Sequence, residues 1–250
     1  MEIQEVTVRS VDRALAILEC FSQDHYMLSL SQIANAVRLP VTTTLRLLTT
    51  LEQNFFIQKD TTTGMYSLGW KLAKLGNITF AGLDVCAKSY PVIERLQNIY
   101  NESFGLYVQE GFSRICVARI DSTRSFRQCV NIGSTRPLDS GASGHVLVAY
   151  GNTPECLKLR ESSPICTPEL LNRVRKEGYS YSFGEYLKGI TSVAAPVFNV
   201  YGNIEAALFV TGPAVRMDSQ IDFFAKILKE SAASISQRMG YSGEYISIQS

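Results

Sequence analysis

Two short runs of the sequence hold side chains suited to recognition or catalysis. The first is Thr42-Thr43-Thr44, followed by Arg46. Threonine is only a moderate helix former, so propensity does not explain this run at a helix start. Small hydroxyls there, with an arginine close behind, suit contacts to base edges and phosphates in a DNA groove. The second run is Asp139-Ser140-Gly141-Ala142-Ser143-Gly144-His145, a turn of small residues leading into an apolar helix. Backbone N–H groups at Ala142, Ser143 and Gly144 would face a cavity, where the helix dipole favours an anion such as a carboxylate. The plainer reading is a tight helix entry whose glycines serve packing alone. The same run brings Ser143, His145 and Asp139 close in sequence, which raises hydrolysis as a rival. Residues at i and i+2 do not face each other on a helix. The G-x-S-x-G elbow is also absent, since His145 replaces the last glycine. His25 reads as a solvated loop residue.

The elements around the first run must position it. From Leu28 to Ile57 the sequence reads as two helices around a tight turn. Ser29 and Gln32 have capping-box spacing, and Leu30, Ile33, Ala34 and Val37 make one apolar face. Arg38-Leu39-Pro40 is the turn, with Pro40 fitted to a helix start. In the second helix Val41, Thr44, Leu45, Leu48 and Leu51 form one face, and Thr42, Thr43, Arg46 and Thr50 the other. An ordinary helical hairpin would look the same this far. The residues that follow favour a winged helix-turn-helix: Phe56–Asp60 and Met65–Leu68 read as short strands around Thr61-Thr62-Thr63-Gly64, the wing. Ser31 and Lys59 suit phosphate contacts. Upstream, Ser10 is placed to cap a helix whose apolar positions are Val11, Ala14, Leu15, Leu18 and Phe21.

Composition bounds the rest. An apolar fraction of 46% and a charged fraction of 19% are ordinary for a soluble globular protein, and 250 residues accommodate two domains. The formal net charge of +1 gives no overall basic signature, but five basic residues stand against two acidic ones between Leu28 and Leu75. No run is long and apolar enough to span a membrane, and the N-terminus is polar and acidic, unlike a signal peptide. The six cysteines are scattered, without CxxC, which reads as reduced thiols in a cytoplasmic protein. No cofactor or metal site is implied.

The order of elements places the second run in a domain of its own. Residues 69–88 read as a linker helix, with Leu72, Leu75, Phe80 and Leu83 apolar and lysines opposite. It joins the winged helix-turn-helix of residues 1–68 to a domain over 89–240, with a tail at 241–250 and a loose N-terminal tail. In that domain Pro91 opens a helix. Strands are expected at Phe104–Gln109, Ile115–Ile120, Phe126–Val130, Tyr179–Phe183, Val193–Phe198 and Ile204–Val210. Helices are expected at Val146–Tyr150, at Thr167–Lys176 with Pro168 at its first position, and at Asp218–Met239 before Gly240. The fold class is α+β with a mainly antiparallel sheet.

Over nearly its full length the chain resembles the IclR family of bacterial transcriptional regulators. The resemblance rests on Ser10 with Arg13-Ala14-Leu15, on Thr44–Leu51, on Tyr66-Ser67-Leu68-Gly69 with Leu75-Gly76, and on Pro137-Leu138 with Gly144. It rests further on Glu185, Gly189, Ala194-Ala195-Pro196-Val197 and Gly212-Pro213. It implies a winged helix for double-stranded DNA, a GAF-like effector domain, and a homodimer or dimer of dimers on a pseudo-palindromic operator. DNA would be met by Ser31, Thr42, Thr43, Thr44, Arg46 and Lys59. The effector pocket would be lined by Ala142, Ser143, Ser182, Ser192, Phe209 and Thr211. Departures lie at His145, where lysine is usual, at Ser182 and Gly184, often acidic, and at Phe209, often small and polar. Phe55 replaces a glycine, so Asn54 is expected to end the recognition helix. These departures predict an organic acid with an apolar or aromatic part. The alternative is a second domain that only dimerises.

Overall fold

The computed structural model describes residues 8–22, 24–82, 84–128 and 130–243. The expected N-terminal tail up to Thr7, the side chain of Phe80, Leu83, Cys129 and the C-terminal tail beyond Gly243 lie outside the described residues. The chain divides into two compact units, residues 1–80 and 81–250.

The first unit holds α1 (Arg9–Glu19), α2 (Leu30–Ala36), α3 (Val41–Gln53), β1 (Ile57–Lys59) and β2 (Tyr66–Leu68), and α4 (Trp70–Gly82) begins in it. Helix α1 starts one residue before Ser10; Val8 is its N-cap and no side chain caps it. Its core face is Ala14, Ile17 and Leu18, continued by Phe21 just beyond its end, while Val11 and Leu15 are exposed. The capping box of α2 forms as expected between Ser29 and Gln32. In α3 the buried stripe is Thr44, Leu47, Leu48 and Leu51. Val41 and Leu45, expected inside, are exposed because this stripe is rotated away from them.

Phe55, not Asn54, takes the left-handed conformation after α3 (φ 63° against −94°). The chain doubles back there so closely that a Cβ on Gly69 would lie 2.2 Å from the Phe55 carbonyl oxygen. The wing pairs antiparallel, Ile57 with Leu68 and Lys59 with Tyr66. Its turn is closed by the Asp60 carboxylate, which accepts the N–H groups of Thr62 and Thr63 at 2.7 and 2.9 Å.

The second unit begins with α5 (Asp84–Tyr100), which contains Pro91 within it rather than starting there. Then come β3 (Ser103–Glu110), β4 (Ser113–Ile120), β5 (Thr135–Pro137), α6 (Gly141–Tyr150), α7 (Pro154–Ser162) and α8 (Pro168–Glu177). They are followed by β6 (Ser180–Phe183), β7 (Ile190–Phe198), β8 (Ile204–Pro213), α9 (Ala214–Met217), a 3-10 turn over Asp218–Gln220, and α10 (Ile221–Arg238). All pairings are antiparallel, in the order β5-β4-β3-β8-β7-β6. The strand expected at Phe126–Val130 is absent from the described part of that segment; Thr135–Pro137 pairs with β4 instead. Helix α7 was not expected, and α10 starts three residues late, after the 3-10 turn. Thr167 caps α8 with Pro168 at its first position, as expected. Helix α6 is buried along Gly141–Ala149 and lies against β6, β7, β8 and α8. Helices α5 and α10 cover the other face, where Tyr100, Phe104 and Phe224 pack edge-on or tilted.

Candidate functional site

The DNA-binding residues expected from sequence divide by exposure. Ser31, Thr42, Arg46 and Lys59 are exposed and Thr43 is half-buried. Thr44 is fully buried, and its hydroxyl donates to the Pro40 carbonyl at 3.1 Å. It is a core residue of α3, turned away from any surface a base could meet, which corrects the expectation. Thr49 and Thr50 likewise turn their hydroxyls onto the carbonyls four residues back. Thr43 and Arg46 line a cleft with Ser10 and Arg13 of α1. Arg13 therefore adds a second guanidinium beside Arg46. On the wing, Lys59 Nζ lies 5.4 Å from the centre of the Tyr66 ring.

The second unit encloses a cavity of about 50 Å³, room for a few water molecules. Ala142, Ser143, Ser182, Ser192, Phe209 and Thr211 all line it. So do Tyr107, Arg114, Gln128, Arg136 and Glu185. Its floor is the sheet. Tyr107 on β3 and Phe209 on β8 stack with ring centres 4.9 Å apart. Gly105 makes room for Phe209, since a Cβ there would come within 2.7 Å of the ring. At one side Ser192 and Thr211 join hydroxyls at 2.8 Å, and Thr211 donates to Gln128 Oε1 at 2.8 Å. Thr211 has one hydroxyl hydrogen, so Ser192 is the donor in the first of these bonds.

The anion-binding geometry differs from the expectation. The first N–H groups of α6 are already engaged: Gly141 donates to Glu185 Oε2 at 2.7 Å and Ala142 to Ser182 Oγ at 3.1 Å. His145 Nε2 lies 3.1 Å from the same Glu185 oxygen. The other ring nitrogen meets Ser180 Oγ at 3.1 Å. His145 thus serves Ser180 and Glu185 rather than Ser143, and the hydrolase geometry does not form. Partial burial raises the Glu185 carboxyl, but His145, the Gly141 N–H and Arg114 outweigh it and hold it below its ordinary range.

Arg114 is, with Tyr107, Gln128 and Arg136, a lining residue that sequence reasoning missed. It is 5% exposed. Nη1 donates to the carbonyls of Pro137 and Ser140, and Nε has no partner among the described residues. The guanidinium stacks over Tyr107 at 5.1 Å. Among the described residues no carboxylate forms an ion pair with it, and burial pulls its pKa down to about 10. Period-two alternation puts Arg114 on the same strand face as the buried Cys116, before a bulge turns Ala118 to the other face. An arginine on a core face was the sequence signal. Gly144 belongs to the same construction, since a Cβ there would fall 2.3 Å from the Leu138 oxygen and 2.7 Å from Arg114 Nη1.

Comparison with known proteins accounts for both units. The IclR helix-turn-helix domain model matches residues 10–61, and the bacterial transcriptional regulator IclR C-terminal model matches residues 79–237. The HTH-type transcriptional repressor AllR of Salmonella typhi is 25% identical over 246 residues, covering 93% of this chain and 90% of that protein. A crystal structure of an IclR-type regulator from Alicyclobacillus acidocaldarius is 28% identical with a TM-score of 0.79, covering 94% of this chain and 100% of that one. An IclR homolog from Microbacterium hydrocarbonoxydans, complexed with 4-hydroxybenzoate, is 22% identical with a TM-score of 0.80, covering 92% and 98% of the two chains.

Proposed function

Because the chain belongs to the IclR family and is a DNA-binding transcriptional regulator of that type, we propose that its cavity binds a small organic acid that controls its hold on an operator. The observation that carries this reading is Arg114, a buried cation on the cavity wall that pairs with no carboxylate among the described residues. Burying an unpaired charge costs several kcal/mol, and an acid entering the cavity would offset that cost. Arg136 adds a second guanidinium, while Tyr107 and Phe209 provide a flat apolar surface. Together they favour a carboxylate on an apolar or aromatic body. The hydroxyls of Ser192 and Thr211 and the amide of Gln128 suit a neutral polar group on the ligand.

On the DNA side, Thr42, Thr43 and Arg46 read base edges or nearby phosphates, and Ser31 and Lys59 hold the backbone. The protein acts in the cytoplasm as a homodimer on a pseudo-palindromic operator. No described helix is long and apolar enough to cross a membrane. The test is a gel shift on DNA flanking the protein's own gene, at two salt concentrations, with and without 4-hydroxybenzoate and related acids. A discrete complex that resists competitor, weakens with salt and responds to one of the acids supports the reading. A discrete complex indifferent to every acid tried, together with no acid-induced thermal shift, leaves a regulator whose second unit does not sense acids of this kind.

A further inference from the structure

We propose that the Glu185 carboxylate is a built-in stand-in for the effector's acid group, holding the start of α6 until an incoming acid displaces it together with its loop. The proposal rests on the effector reading above and assigns its regulation. The N–H of Gly141 is the most direct anion donor at that helix end, and Glu185 occupies it at 2.7 Å, with the His145 ring 3.1 Å away. The carboxylate is therefore where a ligand's carboxylate would go.

Three features distinguish a displaceable occupant from a fixed anchor. First, Glu185 lies on the segment between β6 and β7, and its side chain keeps 30% of its surface exposed. Second, that segment is bounded by Gly184 and Gly189, at φ 61° and 77°, conformations that suit glycine. The Gly184 N–H donates to the Ile190 carbonyl at 2.8 Å and closes the neck of the loop. The loop can turn at its glycines while the β6–β7 pairing stays intact. Third, the loop covers the cavity: Leu187 lines it, and the Tyr186 ring lies under the Arg136 guanidinium at 4.3 Å. With the loop in this position the cavity measures about 50 Å³, against the roughly 300 Å³ or more of a typical ligand pocket. Movement of the loop would open the room that an organic acid needs.

The incoming acid also has an advantage over Glu185. It gains the Arg114 guanidinium, which has no carboxylate partner among the described residues and which Glu185 influences through space without pairing with it. A merely structural role for Glu185 predicts the opposite response to its removal, so the two accounts separate cleanly. The experiment uses the full-length protein, with benzoate and 4-hydroxybenzoate as probes, titrated by calorimetry into the wild type and Glu185→Gln. Glutamine keeps an acceptor for Gly141 but loses the charge. Trypsin cleavage after Lys188, an exposed loop residue, is followed in parallel.

The expected result is at least tenfold tighter binding of a probe acid by Glu185→Gln. Cleavage after Lys188 should be fast in that variant without acid, and accelerated by acid in the wild type. Weaker binding by the variant overturns the proposal and makes Glu185 a supporting part of the site. Equal binding by both proteins overturns the proposal alone and leaves the effector reading in place. No uptake of either acid by either protein overturns the acid-effector reading for this chemistry, and the proposal falls with it.

Discussion

Thr44 and Arg46 stand two positions apart on α3 and do opposite work. Thr44 faces the core and gives its hydroxyl hydrogen to Pro40; Arg46 faces outward. Replacing Arg46 by Ala should weaken operator binding by about 1–3 kcal/mol if it contacts a base, with stability changed by no more than ~0.5 kcal/mol. Thr44→Val should leave operator affinity unaltered and change stability by about 1 kcal/mol or less, because the Pro40 carbonyl keeps the Thr44 N–H at 2.9 Å. Gel shifts and urea unfolding on the same two proteins check both halves. Glu185 gives a residue-scale prediction in pH. Its carboxyl is held below the ordinary value near 4.5, so its charged form favours the folded state. That contribution is fully present above the ordinary value and is lost as pH falls through the lowered one. The stability difference between wild type and Glu185→Gln should therefore be largest near neutral pH and vanish in acid, as read by unfolding curves at successive pH values. A difference that grew on acidification would reverse the sign assigned here.

At the scale of elements, much of the N-terminal unit was legible because its signals are local. The Ser29–Gln32 capping box, the Gly64 turn and the alternation of the wing depend on neighbours within a few residues. The rotation of α3 was not legible, since Leu45 and Leu47 are equally apolar and only the packed partners choose between them. Likewise, Phe126–Val130 has the composition of a strand, but no strand pairs with its described residues. Pro91 suits a helix start, yet it is accepted inside α5. Of the cavity, the six residues that the family resemblance assigned to an effector pocket lie together on its wall, while Arg114 was hidden by its polarity in an alternating strand. Phe55 shows how a local rule is overridden: a bulky residue holds φ 63° because the chain must return past Gly69. Left-handed backbone costs roughly 1–2 kcal/mol for such a residue, and Phe55 is 72% exposed, so little packing offsets it. Phe55→Gly should raise the stability of the N-terminal unit by up to about 1 kcal/mol, the flexibility of glycine in the unfolded chain cancelling part of the relief. Scanning calorimetry would show it, and a lower melting temperature would mean that the ring supports the fold.

For the molecule as a whole, regulation requires the acid to bind one DNA-binding arrangement better than another. Tight binding to both alike would shift nothing. The coupling is a free energy shared by the two sites, typically about 1–3 kcal/mol, and it is reciprocal. If an acid weakens operator binding by some factor, saturating operator must weaken acid binding by that same factor. The prediction is thus an equality between two independent measurements: operator affinity with and without acid, and acid affinity with and without operator DNA. Arg114→Met tests whether the coupling passes through the cavity. It removes the buried charge while filling similar space, so acid binding should fall by tenfold or more and the acid response of the operator complex should disappear. Operator affinity in the absence of acid should stay within twofold, because Arg114 belongs to the second unit while the helix-turn-helix domain belongs to the first. If the response to acid survived in Arg114→Met while the acid no longer bound the cavity, the coupling would have to run through another site.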